Sequence, residues 1–282
     1  MIHYLYLGRV AYDESLRLQD ELVELRRANR IGNVLLLLEH PPVLTLGRHA
    51  NRANVLASDE LLAARGVTLH HINRGGDVTF HGPGQLIGYP IFDLRSLENP
   101  SAGRMGPVDF VRQMEEALIR LCSAYGVRAG RIPGLTGVWC RLPSESDSSS
   151  PAASANPRKI GAIGIHVSRG VTSHGFAFNV TTDLSYFELI NPCGITDKPV
   201  TSLARETTDP ANLPTLEEIA EQAARQFGSV FHQPMDALES VASLLQSHPE
   251  ACPSPAETAE PPLQVPAEVE RLIGRPSRPV RG

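Results

Sequence analysis

Three side chains in this sequence can, by type and setting, carry covalent or proton-transfer chemistry: Cys193, Lys159 and His81. Cys193 lies in residues 191–195 (NPCGI), where Asn-Pro and the following glycine force a turn and present the thiol on a loop. A loop thiol near a cation can have its pKa drawn down from ~8.5 into the neutral range, giving the thiolate that attacks carbonyl carbon. The other cysteines fit blander roles as small apolar residues: Cys122 on a helical core stripe, Cys140 on a strand, and Cys252 in a proline-rich end. Lys159 opens residues 159–166 (KIGAIGIH), and it and Lys198 are the two lysines among 26 basic residues. Arginine does not give up its proton in a protein whereas lysine can, so a chain that otherwise avoids lysine marks position 159 as a place where deprotonation matters. From these residues alone, a solvated edge lysine beside a packing bulge is an equal alternative.

His81 belongs to residues 74–85 (RGGDVTFHGPGQ), where ionisable side chains alternate with four glycines. Glycine lets a backbone approach a ligand closely, so the stretch reads as a loop that wraps an extended substrate while Arg74 and His81 supply donors. A plain hairpin is the competing reading. No Gly-Lys-Ser/Thr follows, so it is not a phosphate loop. Residues 174–179 (HGFAFN) form a small-and-aromatic strand able to floor an apolar channel or to be plain core. A zinc site built from His70, His71, His81 and a cysteine fits no standard ligand spacing, and no metal or other cofactor is expected.

These stretches need strands and helices to hold them. Residues 13–27 place Leu18, Leu22 and Leu25 on one helical face, and residues 33–39 (NVLLLLE) read as a buried strand stopped by Pro41-Pro42. Ser58 caps a short helix ending before Gly66, with a strand at 67–72. Residues 107–125 are the clearest helix, with Phe110, Met114, Ala117, Leu121 and Cys122 on one stripe and Gly126 as the stop. Strands are predicted at 86–92, 137–141, 160–167 and 175–179. A last helix opens on a capping box, Thr215 with Glu218, and buries Leu216, Ile219, Ala223 and Phe227. Several strands follow one another without helices between them, which predicts an α+β fold with a mixed or antiparallel sheet and flanking helices.

Residues 143–157 hold six Ser and three Pro in 15 positions and no large apolar side chain, so they are expected to be a mobile inserted loop. Residues 248–282 are rich in proline, with a short turn expected at 267–273, and read as a disordered tail. The remainder, residues 1–247, is expected to be one domain. A net charge of −5 argues against nucleic acid or an anionic membrane as the main partner. The longest apolar run, residues 34–38, is far short of the ~20 needed to cross a bilayer, and the start carries no signal-peptide pattern. Four widely spaced cysteines do not make a disulfide framework, and the chain is expected to be cytoplasmic.

Taken in order, RGGDVTFHGPGQ, KIGAIGIH, HGFAFN and NPCGI closely resemble the lipoyl(octanoyl) transferases, relatives of the biotin and lipoate protein ligases. The resemblance implies a biotin/lipoate protein ligase-like catalytic domain. It also implies transfer of an octanoyl group from acyl carrier protein to a lysine of a lipoyl domain, in 2-oxoacid dehydrogenases or the glycine cleavage H protein. By motif match Cys193 is the residue that carries the acyl group as a thioester, Lys159 sets its reactivity, and His81 orients a partner or relays a proton. The same match assigns substrate binding to Arg74, Gly75, Gly76, Asp77, Val78, Thr79, Phe80, His81, Ala162, Ile163, Gly164, Gly175, Phe176 and Ala177. An ATP-dependent lipoate or biotin ligase on the same scaffold is the nearest alternative, and a non-catalytic adaptor for acyl carrier protein a more distant one.

Overall fold

The structure is a computed structural model that describes residues 1–100, 103–141, 156–191 and 199–246, all within one compact unit, Met1–Glu250. Cys193, Lys198, Cys252, most of the 143–157 segment and the turn expected at 267–273 lie outside the described residues.

The main sheet has eight strands in the order β11-β1-β2-β6-β10-β9-β8-β7. In chain order these are β1 (Ile2–Arg9), β2 (Asn33–Glu39), β6 (Gln85–Ile91), β7 (Ala129–Ile132), β8 (Leu135–Cys140), β9 (Arg158–Ser168), β10 (Val171–Asn179) and β11 (Met235–Ala237). β1 runs parallel to both β2 and β11, and every other pairing is antiparallel, so the sheet is mixed. A second, three-stranded sheet joins β4 (Thr68–His71), β3 (Val43–Leu46) and β5 (Val78–His81), with β3 parallel to β4 and antiparallel to β5.

The unbroken apolar run of β2 now has its reason. Leu35 and Leu37 face a core filled by α3 (Pro107–Ala124) and α5 (Leu216–Val230), while Val34, Leu36 and Leu38 face another with α1 (Tyr12–Arg27) and α6 (Val241–Gln246). A strand covered on both faces cannot alternate apolar with polar. A third cluster fills the small sheet, where Leu44, Leu46, Val78 and Phe80 meet Leu62 of α2 (Asp59–Ala64) and Leu189 of a 3-10 turn. The short α4 (Leu203–Glu206) follows β10 in the chain. Among the described residues no helix is long and apolar enough to cross a membrane.

The α+β architecture and the strong elements follow the sequence pattern. The expected strand at 33–39 is β2, Ser58 caps α2 by accepting from the Leu61 N–H, and Thr215 and Glu218 close both bonds of their capping box. Cys122 and Cys140 are buried core residues. One expectation needs correction. Residues 74–85 are not a single loop between strands, because residues 78–81 form β5, whose alternating side chains pack on β3 some thirty residues upstream. Among the elements the sequence pattern did not reveal, β1, β3, β7 and β11 are peripheral or short.

One buried charge ties the layers together next to the site. Glu115 of α3 has no solvent exposure. Its carboxylate accepts from Arg112 at 2.6 Å, from Arg131 at 3.1 Å and from the backbone N–H of Gly137 in β8 at 2.9 Å. Removing it would strand two guanidinium groups and an amide. Because both arginines are partly exposed, Glu115→Ala is expected to cost about 2–4 kcal/mol, which thermal denaturation should read as a Tm lowered by roughly 10 °C. Glu115→Gln, which keeps an acceptor for Gly137, should lose clearly less; equal losses would mean the amide contact contributes nothing.

Candidate active site

The two sheets meet where one backbone lies against another. The N–H of Gly75 donates to the carbonyl of Ile165 in β9 at 3.0 Å. A Cβ added at Gly164 would sit 2.8 Å from the Gly75 carbonyl oxygen, so the chain cannot approach this closely with any larger residue there. The glycine within KIGAIGIH therefore marks close approach by the other motif's backbone.

Behind this clasp opens a cavity of about 450 Å³, a size suited to a small-molecule chain. Its walls take Arg74, Gly75, Gly76, Asp77, Val78, Thr79 and His81 from the loop and β5, Ala162, Ile163 and Gly164 from β9, and Gly175, Phe176 and Ala177 from β10. Lys159 lines it too. Phe80 does not: side chains alternate along β5, so Thr79 and His81 turn to the cavity while Phe80 stacks on Tyr186 at 4.7 Å and meets Phe187 edge-on at 5.6 Å in the third core. The Phe80 side chain thus packs in the third core, beside the residues that line the cavity. Tyr12, Tyr89, Gly134 with the first residues of β8, and Val200 also line the cavity, and no pattern in the sequence pointed to them. Gln85, His174 and Asn179 stood inside the quoted motifs without an assigned part.

His81 is held from both sides. Both amide hydrogens of Gln85 are engaged, with the Phe80 carbonyl at 3.2 Å and Asn179 Oδ1 at 2.8 Å, so its Oε1 accepts from His81 Nδ1–H at 2.8 Å. That leaves Nε2 as an acceptor facing the Thr45 hydroxyl at 3.4 Å, whose oxygen is already occupied by the Arg74 guanidinium. Burial, reinforced by the facing His40, pushes the His81 pKa down to about 3. His40, donating to the Val10 carbonyl and accepting from the Tyr89 hydroxyl, and His174, whose ring contacts Asn73 at 2.6 Å, are each lowered by burial to about 4. His174 adopts φ +54°, with its N–H held by Gln19 at 2.9 Å. His70 lies 3.1 Å from Asp13, its ring 5.1 Å from that of Tyr12.

Lys159 Nζ lies 4.8 Å from the centroid of the Trp139 ring. Its backbone is fastened to the chain just after residue 198: its N–H donates to the Pro199 carbonyl at 2.9 Å and its carbonyl accepts from Thr201 at 2.8 Å. On the other side of the undescribed stretch, the N–H of Asn191 donates to the Asn54 carbonyl at 2.7 Å, and the Asn54 side chain donates to Asp77 on the cavity wall. The arrangement offers a largely apolar cavity with an amine at its wall, beside neutral donors and acceptors and the charged Arg74 and Asp77.

Among proteins of known name and structure, the chain is 56% identical to the octanoyltransferase of Acidobacterium capsulatum over 255 residues, covering 88% of this chain and 100% of that one. It is 52% identical to the octanoyltransferase of Koribacter versatilis, covering 91% and 94%. A bipartite lipoate protein ligase from Thermoplasma acidophilum superposes with a TM-score of 0.60 at 17% identity over 87% of this chain and 90% of the other. Lipoate-protein ligase A bound with ATP does so with 0.59 at 18% over 88% and 94%; at such identities these structures establish the fold alone. The profile of the lipoyl protein ligase A/B catalytic domain matches residues 11–228, which carry the clasp, the cavity and both ends of the cysteine segment, and this chain belongs to that family.

Proposed function

We propose that the protein is an octanoyltransferase that passes an octanoyl group from acyl carrier protein, through a thioester on Cys193, to a lysine amine of a lipoyl domain in 2-oxoacid dehydrogenases or the glycine cleavage H protein. The reading rests on one observation: of the described ends of the segment that carries Cys193, one is hydrogen-bonded to Lys159 of the cavity wall and the other to Asn54, whose side chain bonds Asp77 of that wall. Cys193 is two residues from Asn191, a reach of at most about 7 Å for extended chain. The names of the relatives at 52–56% identity agree with it.

In the first step the Cys193 thiolate attacks the donor thioester carbonyl, the new C–S bond forms, and the carrier's phosphopantetheine thiolate leaves and takes a proton. In the second, the acceptor lysine's neutral amine attacks the enzyme thioester, loses its proton and expels the Cys193 thiolate. Lys159 supports the thiolate in both, as a base for the thiol proton or as an adjacent cation. Each CH2 or CH3 of the octanoyl chain buried in the cavity contributes ~0.8 kcal/mol, so the apolar wall formed by β9 and β10 supplies several kcal/mol of binding. His81 serves as an orienting group: with Nδ1–H bound to Gln85 and a pKa near 3, it holds the cavity wall in place and stays neutral at working pH. A reducing cytoplasm suits a reactive free thiol.

Cys193→Ser is expected to abolish transfer with an unchanged circular dichroism spectrum, and mass spectrometry of the wild type incubated with octanoyl-acyl carrier protein should show one octanoyl adduct on the Cys193 peptide. Turnover retained in the serine variant would exclude the thioester route, and acylation from ATP and free octanoate without the carrier would favour a ligase. Lys159→Arg, which keeps charge but not a practical base, should lower kcat severely; near-normal turnover would restrict Lys159 to a purely cationic part. For pH, His40, His81 and His174 have folded pKa values depressed below the unfolded value of ~6.5. The unfolded chain therefore binds protons that the native state refuses, and stability present above pH ~6.5 is lost as pH falls towards ~4, by about 1 kcal/mol per histidine at pH 5.5. Urea unfolding between pH 7.5 and 5.5 should show this decline, and a flat profile would mean that the rings are not neutral in the fold.

A further inference from the structure

We infer that Trp139 is the positioning residue for Lys159, its indole face holding the ammonium group at the cavity wall, an inference that rests on the pairing of Lys159 with Cys193 proposed above. Trp139 is the sole tryptophan of the chain. It is 1% exposed, and among the described residues its Nε1–H has no hydrogen-bond partner. A buried donor without an acceptor is a cost that a phenylalanine of similar shape would avoid. What the indole adds over a phenyl ring is the strongest cation-binding face among side chains, and Lys159 Nζ lies 4.8 Å from its centroid.

The backbone is arranged to bring the two together. Between β8 and β9, Val138 pairs with Gly161 but Trp139 pairs with Lys159, so the register slips by one residue and Ile160 is bulged out of the pairing. Regular pairing would set Trp139 opposite Ile160. Because neighbouring residues of a strand point to opposite faces, the slip is what places Trp139 and Lys159 on the same side. The lysine stem is also bounded by the backbone of the strand that carries the indole. Gly137, at φ +122°, lies so close that a Cβ there would be 3.3 Å from Lys159 Cε and 2.6 Å from the Gly161 carbonyl oxygen. The Gly137 N–H is fixed by the buried Glu115. A long flexible side chain thus has a glycine backbone against its stem and an aromatic face at its amine, which limits where that amine can be.

A cation–π contact acts on the ammonium and not on the neutral amine, so Trp139 favours the charged form of Lys159 before the thiolate forms. Held there, Lys159 supports the thiolate by its position as well as its charge, so the bulkier guanidinium of Lys159→Arg does not take its place.

The two-lysine composition makes the test direct. In protein labelled with ¹³C-lysine, the CεH2 region should hold two signals, assigned by Lys159→Arg. The Lys159 signal should lie upfield of the other through the ring current of the indole. Trp139→Phe should weaken that displacement and Trp139→Leu abolish it. Both variants should lower the pH at which the Lys159 signal titrates and raise the pH midpoint of Cys193 alkylation by iodoacetamide. Single-turnover octanoyl transfer should slow roughly tenfold in the leucine variant while KM for the acyl carrier changes little. A wild-type Lys159 signal without upfield displacement would overturn the inference. So would a folded Trp139→Phe whose Lys159 titration and alkylation profile match wild type; these two measurements decide even where Trp139→Leu fails to fold. Should Lys159→Met leave the alkylation profile of Cys193 unchanged, the pairing of lysine with cysteine fails instead, while the Trp139 effect on the Lys159 signal stands.

Discussion

The geometry of the cavity depends on one contact between backbones, the Gly75 N–H against the Ile165 carbonyl, made at the distance that Gly164 permits. It joins the loop before β5 of the three-stranded sheet to β9 of the eight-stranded one, and the cavity lies behind it. Arg74, one residue before the contact, turns its guanidinium inward to the Thr45 carbonyl and hydroxyl, which fixes the loop from its other side. Main-chain atoms rather than side chains therefore set the distance between the walls. A linear acyl chain can be held there by apolar burial without any polar group that it must satisfy.

The second organising feature is a polar interior kept uncharged. His81, Gln85, Asn179 and the Thr201 carbonyl form a continuous chain of hydrogen bonds, and the Thr201 N–H in turn meets the Lys159 carbonyl. In this chain each donor has an acceptor, so the network costs little to bury and locks the strands that carry it. Positive charge at the cavity wall is consequently left to Arg74, engaged with Thr45, and to Lys159. A charge held at a largely apolar wall acts more strongly on a neighbouring group than the same charge in water, because low dielectric strengthens the interaction. Glu115 belongs to the same design at longer range, since its buried carboxylate holds the start of β8 beside the lysine.

Much of this could be anticipated from local patterns. The buried run 33–39, the Ser58 cap, the helix stopped by Gly126 and the capping box at Thr215 depend on neighbours within one or two turns, and each appears where the sequence put it. Residues 43–46 and 78–81 escaped notice because neither is long or periodic enough alone. They are strands by virtue of pairing with each other across an intervening helix. That the Phe80 side chain faces the third core was hidden for the same reason, since only the pairing decides which face of a four-residue strand looks inward.

The amino-acid sequence by itself determined the types of group available: one loop cysteine, two lysines in a chain of arginines, glycines spaced for close backbone contact, and apolar runs long enough for a covered sheet. Those follow from composition and short-range spacing, which a linear reading can see. Tertiary structure alone decided that Gly164 meets Gly75, that His81 is buried and neutral, and that a one-residue slip sets Trp139 over Lys159. Such facts depend on strand register and on the desolvation of groups far apart in the chain, and neither exists until the strands have paired.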